Sequence, residues 1–474
     1  MCGMADEYDL IVIGAGSGGL SAAPFAAKLG ARVALVEKNK PGGDCLYTGC
    51  VPSKALIKAA KVAWQMRRAA DYGLEPHEPW VDLGRVTAHV QDVIQRVYQF
   101  ESVEVLAGEG VEVVTGAARF LDAHTVQAGD RTLRGRHFII CTGSRAAIPP
   151  VPGLKETGFL TYDDLFHMTE LPSHLLVIGA GPIGMEMGQA FRRLGSEVTM
   201  FQRSARLLTM ADPECSDTLA EVLREEGVRF HLGTELDRVE RVDQGIVVTT
   251  GGEQIVGDAL LVAAGRRANV DGLELEKAGV AYGPRGIPVD EHLRTNQHHI
   301  YACGDVLGEQ QFTHYAGFQG YVAVRNALLP GKGVGVLDRV PWTIFTDPEV
   351  ARAGLTEPEA RERHGDEVRV THWPNERIDR AQTEEDRRGF IKVIHKPNGE
   401  ILGVHIVAER AGEMIHEFIL AMERGIKLGD LSGVIHVYPT YSTGTQQAAV
   451  AYRVDSLLES LPGRLITAAA RWTR

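Results

Sequence analysis

The sequence is short of cysteine, of long apolar runs and of positive charge, and each shortage removes a class of protein. Six cysteines in 474 residues, at positions 2, 45, 50, 141, 215 and 303, are too sparse for a secreted disulfide scaffold. Only Cys45 and Cys50 lie close together. In a reducing compartment such a pair points to redox or metal chemistry rather than to structural cross-linking. The apolar run at residues 10–13 is far too short to span a bilayer, and no basic stretch followed by an apolar one marks a signal peptide. A cytoplasmic protein without membrane insertion is expected. The formal net charge is −12, with no basic footprint, which argues against nucleic acid and anionic lipid as partners.

What the chain does have is glycine, 53 residues of it, in patterns that suit tight turns and close backbone-to-phosphate contact. From Tyr8, the segment Tyr-Asp-Leu-Ile-Val-Ile-Gly-Ala-Gly-Ser-Gly-Gly-Leu reads as a buried strand entering a glycine turn and then a helix to about residue 29. A strand over residues 32–36 follows and ends on Glu37. The plan repeats from Leu175, with Leu-Leu-Val-Ile-Gly-Ala-Gly-Pro-Ile-Gly-Met-Glu-Met, a helix to about residue 194 and a strand over 197–201. The dinucleotide-binding βαβ unit is thus present twice.

Residues 83–106 read as helical, and residues 111–140 alternate apolar and polar side chains as a half-exposed sheet does. Pro149, Pro150 and Pro152 mark a domain boundary, and a second falls near Pro330-Gly-Lys-Gly. Residues 230–264 are strand-rich, and Tyr301-Ala-Cys-Gly-Asp305 reads as a strand ending in a turn. From Pro341 the chain mixes strands, at 390–395 and 402–407, with a helix over 412–425, an α+β arrangement.

In the first motif Gly14, Gly16 and Gly19 give the tight turn, the close pyrophosphate approach and the helix–strand packing. Glu37, 23 residues after Gly14, stands where an acid holds a ribose hydroxyl pair. In the second motif Gly179, Gly181 and Gly184 keep the spacing, but the position matching Glu37 is Gln202, followed by Arg203 and Arg206. Loss of the acid removes repulsion against a 2′-phosphate, and two guanidinium groups can clamp it. NADPH is therefore expected as the preferred nucleotide, with NADH as the alternative.

The most specific segment is Pro-Gly-Gly-Asp-Cys45-Leu-Tyr-Thr-Gly-Cys50-Val-Pro-Ser-Lys54. Four intervening residues allow a disulfide at the start of a helix, whose N-terminus lowers a thiol pKa. A metal site on the two cysteines is the alternative, but it lacks the further Cys or His partners that a four-coordinate zinc requires. No resident metal is expected.

This segment closely resembles the redox motif of the class I flavin disulfide reductases, which include lipoamide dehydrogenase, glutathione reductase and mercuric reductase. The resemblance runs through Cys141-Thr-Gly-Ser144, Ala264-Gly-Arg-Arg-Ala-Asn269, Tyr301-Ala-Cys-Gly-Asp305 and Phe345-Thr-Asp-Pro-Glu349, and so covers nearly the whole chain. It implies bound FAD, with Cys50 against the flavin as the charge-transfer thiolate and Cys45 as the interchange thiol that meets substrate. Lys54 would approach the flavin N5 edge, paired with Glu186. Asp305 would hold the ribityl chain, and Gly43, Thr142, Gly143 and Gly265 would join the cofactor-binding set. Cys141 and Cys303 read as isolated buried small residues, and Cys2 and Cys215 carry no motif. The implied fold is α/β, two Rossmann-like three-layer nucleotide-binding domains plus an α+β C-terminal dimerisation domain, assembled as a homodimer. The expected boundaries are residues 1–150 and 281–335 for FAD, 151–280 for NAD(P), and 340–474 for dimerisation.

The sequence departs from the family at one place. Lipoamide dehydrogenase and glutathione reductase carry His-Pro-Thr followed shortly by Glu, an acid–base dyad. Here the segment is His436-Val-Tyr438-Pro-Thr-Tyr-Ser-Thr443, with Tyr438 at the His position and Thr443 at the Glu position. A phenol titrates near pH ~10 and is a poor general base at neutrality. Tyrosine there resembles mercuric reductase, yet no cysteine follows Cys303 to form that enzyme's C-terminal pair, and the tail Ala-Ala-Ala-Arg-Trp-Thr-Arg474 does not replace it. His436 is the substitute acid–base, provided an extended backbone turns it to the same side as Tyr438. The expected activity is NAD(P)H-dependent reduction of a small thiol-reactive acceptor: a metal ion, a disulfide or an oxidised small molecule. The rivals are a dihydrolipoyl dehydrogenase with an altered base and a flavoprotein redox sensor with little turnover.

Overall fold

The computed structural model describes residues 6–459, so Cys2 and the tail ending at Arg474 lie outside the described residues. Two compact units are present among the described residues: 6–60, 80–179 and 236–338 belong to one, and 61–79, 180–235 and 339–459 to the other. The elements that carry candidate site residues are, in chain order, β1 (Asp6–Ile13), α1 (Ser17–Lys28), β2 (Val33–Glu37), α2 (Gly43–Tyr47), α3 (Cys50–Arg67), β3 (Arg131–Ile140), β4 (His174–Ile178), α4 (Pro182–Leu194), β5 (Glu197–Gln202), β6 (Ile300–Ala302) and α5 (Thr313–Leu328).

The first unit is built on a 7-stranded sheet in which β1 runs parallel to both β2 and β3, with Ile13 opposite Val36 on one side and Ile140 on the other. A strand buried on both faces needs a near-continuous apolar run, which Leu10–Ile13 supplies. Alternate residues then serve two cores. Ile11, Ile13, Phe138, Ile140, Ile300 and Ala302 pack on one face. Leu10, Val12, Ile139 and Tyr301 pack on the other, against Ala22, Ala23 and Ala26 of α1 and Val324 of α5. The short β6 extends the sheet along the C-terminal end of β3, with Ala302 opposite Ile140. The same unit holds β4, parallel to Ala259–Val262, and the antiparallel strands of residues 238–257.

The second unit contains α4, β5 with its parallel neighbour Arg229–Leu232, and a 5-stranded sheet of residues 342–408 whose strands are all antiparallel. The helices Ala411–Arg424 and Thr443–Glu459 belong to this α+β part, and Met414, Ile415, Phe418 and Ala449 share a core with Val393, Val404 and Ile406 of the sheet. The architecture is the mixed α/β one expected, with parallel nucleotide-binding sheets followed by a C-terminal α+β domain.

The one long helix expected over 83–106 is two, Leu83–Tyr98 and Val103–Gly108. Ser102 accepts a hydrogen bond from the Val105 N–H and restarts the helix as an N-cap, a local signal that apolar periodicity does not carry.

Lys392 holds the second unit together electrostatically. Its side chain is 7% exposed and its ammonium meets Asp212 at 3.0 Å, Glu214 at 3.0 Å and Glu357 at 2.8 Å. The hydrogen bond from His372, and then Lys392, pull the Glu214 carboxyl down to about 2 despite partial burial. Removing one partner of a buried pair leaves an uncompensated charge, at about 3–5 kcal/mol, so Lys392→Met should lower stability by that order in chemical denaturation. A carboxylate with a depressed folded-state pKa contributes stability above its unfolded value of about 4.3 that is lost as pH falls. In the native protein, acid titration followed by circular dichroism should therefore show this contribution disappearing between about pH 4.3 and pH 2.

Candidate active site and cofactor cradle

The first glycine turn is shaped by where a side chain has no room. A Cβ on Gly14, whose φ is +103°, would meet the Cys141 carbonyl oxygen at 2.4 Å, and one on Gly19 would meet the Gly14 carbonyl oxygen at 1.9 Å. Only glycine lets β1, β3 and α1 approach this closely. At Gly16, the N-cap of α1, an added Cβ would make only ordinary contact, with the Gly43 Cα at 3.9 Å, so no side chain stands against the helix N-terminus at this point. Such a terminus offers unpaired N–H groups and a positive dipole end to an anion. Glu37 is held in register: one carboxylate oxygen accepts from the Ala15 N–H at 2.8 Å and the other from the Asn39 N–H at 2.9 Å. The residues present fit the diphosphate and ribose of a dinucleotide.

The second motif repeats this geometry with one substitution. Gly179 would collide with the Ala263 carbonyl oxygen at 2.4 Å, whereas Gly181, the N-cap of α4, has nothing within 4 Å. Gln202 occupies the structural position of Glu37, its carbonyl oxygen accepting from the Ala180 N–H at 3.2 Å. Arg203 and Arg206 are exposed just after β5, and neither is paired with a carboxylate among the described residues. Gly184 is buried in the first turn of α4.

The redox pair is delivered to the first turn by α2 and α3. A Cβ on Gly43 would lie 2.7 Å from the Gly16 Cα, so the start of α2 presses on the start of α1. Cys45 sits within α2 and Cys50 begins α3, where the Ser53 N–H closes the first turn onto the Gly49 carbonyl at 3.1 Å. Both are thiols here and both are half-buried. The Cys50 Sγ lies 3.0 Å from the Thr313 hydroxyl at the start of α5. Hydrogen bonding to Cys50, then burial and charge on Cys50, push the Cys45 thiol well up, with the Thr313 and Ser17 hydroxyls acting against them. Cys45 is thus held as the protonated thiol, while Cys50 stands at a helix N-terminus, a position that favours a thiolate. A cavity of about 430 Å³ opens beside Cys45, with Ser17, Val97, Phe100, Glu101 and His314 in its wall.

Asp305 lies in a polar ring within the same unit. It accepts from the Ser144 hydroxyl at 2.7 Å and lies 3.3 Å from the Arg266 Nε. Arg266 also pairs with Asp44 and stacks 4.6 Å from the centre of the Tyr162 ring. Burial raises the Asp305 carboxyl above the ordinary range, opposed by Arg266 and Ser144. Gly143 at φ +69° and Gly265 at φ +125° leave open space beside them, and the Thr142 hydroxyl is tied to the Asn269 carbonyl at 2.7 Å. This carboxylate and these side-chain-free turns suit a hydroxyl-rich cofactor chain.

Lys54 reaches the Ser53 hydroxyl at 3.3 Å in the first unit, while Glu186 belongs to the second, buried in α4 and accepting from the Phe345 N–H at 2.9 Å. Residues 435–440 form no strand, and His436 and Tyr438 engage different carboxylates, Glu417 and Asp379. His436 is buried, one ring nitrogen on the Val434 carbonyl at 3.0 Å and the other on both Glu417 oxygens at 3.0 Å. Tyr438 is 67% exposed and donates its hydroxyl to Asp379 at 2.7 Å. That bond holds the phenol above its ordinary pKa.

Several partners escaped the sequence reading: Thr313, Ser17, Arg266, Asp379 and Glu417. Each lies well along the chain from the residue it serves, and where Ser17 and Arg266 fall within a motif, the motif does not tell which residue they meet. Cys141 and Cys303 are not isolated, because the parallel register of β3 and β6 puts their sulfurs 3.2 Å apart. Among the described residues no group of three or more His, Cys, Asp or Glu side chains is placed to hold a metal ion, and no helix is long and apolar enough to cross a membrane.

Comparison with known proteins agrees with this geometry. Residues 8–320 match the pyridine nucleotide-disulphide oxidoreductase family, and residues 340–449 match its dimerisation domain. A mercuric reductase of Staphylococcus aureus is 35% identical over 455 residues, covering 95% of this chain and 83% of that protein. A dihydrolipoyl dehydrogenase of Thermus scotoductus is 39% identical over 465 residues, covering 95% and 98%. Among solved structures, the HOCl-induced flavoprotein disulfide reductase RclA from Escherichia coli superposes with a TM-score of 0.85 at 30% identity, covering 94% of this chain and 99% of that one. The Cu(II) complex of the same enzyme gives 0.84 at 30% identity, covering 92% and 98%. The chain belongs to the pyridine nucleotide-disulphide oxidoreductase family, flavoprotein enzymes that join FAD and a pyridine nucleotide to a redox-active disulfide, and its C-terminal dimerisation domain supports a homodimer.

Proposed function

We propose that this protein is a cytoplasmic, NADPH-preferring reductase of a small thiol-reactive acceptor, with a soft metal ion as the acceptor class the site favours. The observation that carries the reading is the hydrogen bond from Tyr438 to Asp379. It makes the phenol a committed donor at the position where disulfide-exchanging relatives hold a base. His436 is no substitute, since both its ring nitrogens are engaged. Reducing a disulfide requires a proton for the departing thiolate, and the imidazole that serves this purpose in disulfide-exchanging relatives is replaced here by Tyr438.

A soft cation makes a different demand. Coordination by thiolates expels their protons, so the metal itself deprotonates the high-pKa Cys45. Two thiolates then give up two electrons, the S–S bond forms between Cys45 and Cys50, and a divalent ion leaves as the neutral element. FAD, when bound, supplies the two-electron link from nicotinamide to this pair. Gly14, Gly16, Gly19, Glu37, Gly43, Thr142, Gly143, Gly265 and Asp305 would hold it, and Lys54 with Glu186 would face its ring. Gly179, Gly181, Gly184 and Gln202 would seat the nicotinamide nucleotide. Residues 1–150 and 281–335 would be the FAD domain, 151–280 the NADPH domain and 340–474 the dimer domain. The exposure of Ile435 (95%) and Val437 (79%) supports a second copy covering this loop. The mercuric reductase relative and the copper complex of the bacterial reductase support a metal acceptor; the dihydrolipoyl dehydrogenase relative supports the rival.

Steady-state NADPH oxidation with Hg(II), Cu(II), lipoamide and glutathione disulfide should show turnover with a soft cation. Dihydrolipoamide oxidation by NAD⁺ at the rate of ordinary dihydrolipoyl dehydrogenases would sink the proposal, and a halt after one or two turnovers with every acceptor would favour a sensor. Replacing Arg203 and Arg206 together by Ala should raise the KM for NADPH about 10–100-fold with little change for NADH, from the loss of charge-assisted hydrogen bonds of about 1.5–3 kcal/mol. On two-electron reduction Cys50→Ser should lose the long-wavelength thiolate–flavin absorbance and Cys45→Ser should retain it; the opposite pattern would reverse the two roles.

A further inference from the structure

The first unit contains a second pair of cysteines that the redox motif does not use. Cys141 follows β3 and Cys303 follows β6, and the two sulfurs are 3.2 Å apart. Strand register brings them there. Ile139 is opposite Tyr301 and Ile140 opposite Ala302, and the Cys303 N–H donates to the Ile140 carbonyl at 3.0 Å, so the next pair in register is Cys141 with Cys303. Side-chain alternation puts both on the sheet face covered by α1 and α5, in the core that also holds Ile139 and Tyr301. Adjacent strands lie about 4.8 Å apart, within the Cα separation of about 4.4–6.8 Å that a disulfide spans.

We propose that Cys141 and Cys303 are a second redox pair, a buried dithiol that closes to a disulfide under peroxide and clamps together the two segments bearing Thr142, Gly143 and Asp305. Cys141 is the entry point, being 7% exposed against 1% for Cys303. Its sulfur attacks one peroxide oxygen, the O–O bond breaks, and water leaves behind a sulfenic acid. The Cys303 sulfur then attacks the Cys141 sulfur, the S–O bond breaks, and a second water carries off the remaining thiol proton. Two thiols lose two electrons and one peroxide becomes two waters.

The pair is separated from Cys45 and Cys50 by the first turn of α1. Ser17 and Cys45 line the same cavity, whereas a Cβ on the adjacent Gly18 would meet the Cys303 Sγ at 3.0 Å and the Cys141 Cβ at 3.7 Å. Helical backbone therefore stands between the two pairs and prevents direct exchange. Contact with Cys303 and then burial also hold the Cys141 thiol protonated, which makes it slower to oxidise than the motif pair. The second disulfide is thus a response to sustained oxidant and is not reset by the nicotinamide nucleotide.

The FAD-loaded, full-length enzyme is treated with increasing hydrogen peroxide, then unfolded in an alkylating agent, digested and analysed by mass spectrometry. The expected result is a Cys141–Cys303 linked peptide appearing at higher dose than the Cys45–Cys50 link and surviving NADPH, which reopens only the latter. The oxidised enzyme should also release flavin severalfold more slowly on warming than the dithiol form, a difference that Cys303→Ala removes. Alkyl label on both Cys141 and Cys303 after the motif pair has fully closed would overturn the proposal, as would sulfonic acid at Cys141 without a link, or a link from either residue to Cys45 or Cys50. None of these outcomes depends on the identity of the acceptor.

Discussion

The first turn of α1 is surrounded by backbone, and that crowding positions the rest of the FAD half of the molecule. Gly14 backs onto the Cys141 carbonyl, Gly19 onto the Gly14 carbonyl, Gly43 onto Gly16, and Gly320 of α5 onto the Gly18 carbonyl, where a Cβ would come within 2.3 Å. Each contact excludes any side chain, so two strands and three helices are held at distances set by main chain alone. From this one turn hang the side-chain-free approach to the helix N-terminus, the placement of Cys45 and Cys50, and the burial of the second cysteine pair. A position fixed by backbone contact is stiffer than one fixed by rotamers. That suits a site in which a bound cofactor and a disulfide must meet within van der Waals distance.

Features carried by short-range pattern were legible in the sequence. The two glycine turns, the helix beginning at Cys50, two strands of the C-terminal sheet and the equivalence of Gln202 with Glu37 all rest on residues within a few tens of positions of each other. Features carried by tertiary pairing were not. Thr313 reaches Cys50 across 263 positions, Ser144 reaches Asp305 across 161, and Cys141 reaches Cys303 across 162. No periodicity encodes such contacts; the register of a parallel sheet does, and register is decided by the fold. The broken helix after Tyr98 was missed for a different reason, because Ser102 acts through a single capping bond that a window of apolar spacing averages away.

The two cysteine pairs carry the same chemical groups in contrasting surroundings, and the surroundings assign their behaviour. Cys45 and Cys50 are half-buried, with two hydroxyls and a helix N-terminus to steady a thiolate and a cavity to admit an acceptor. Cys141 and Cys303 lie in an apolar core with no polar side chain beside either sulfur other than its partner's thiol. Thiolate stability separates a fast, reversible centre from a slow one.

Tyr438 completes the contrast from the side of the acceptor. In a disulfide exchange the protein must supply a base for the attacking thiol and an acid for the leaving one, and an imidazole near its pKa does both. A phenol bound to Asp379 and held above its ordinary pKa does neither at neutral pH. The proton that keeps Cys45 neutral must then be displaced by the acceptor itself, and only a species that binds sulfur strongly achieves that. On the function proposed above, the substitution leaves the electron path intact and moves the selectivity of the enzyme onto the thiophilicity of what it reduces.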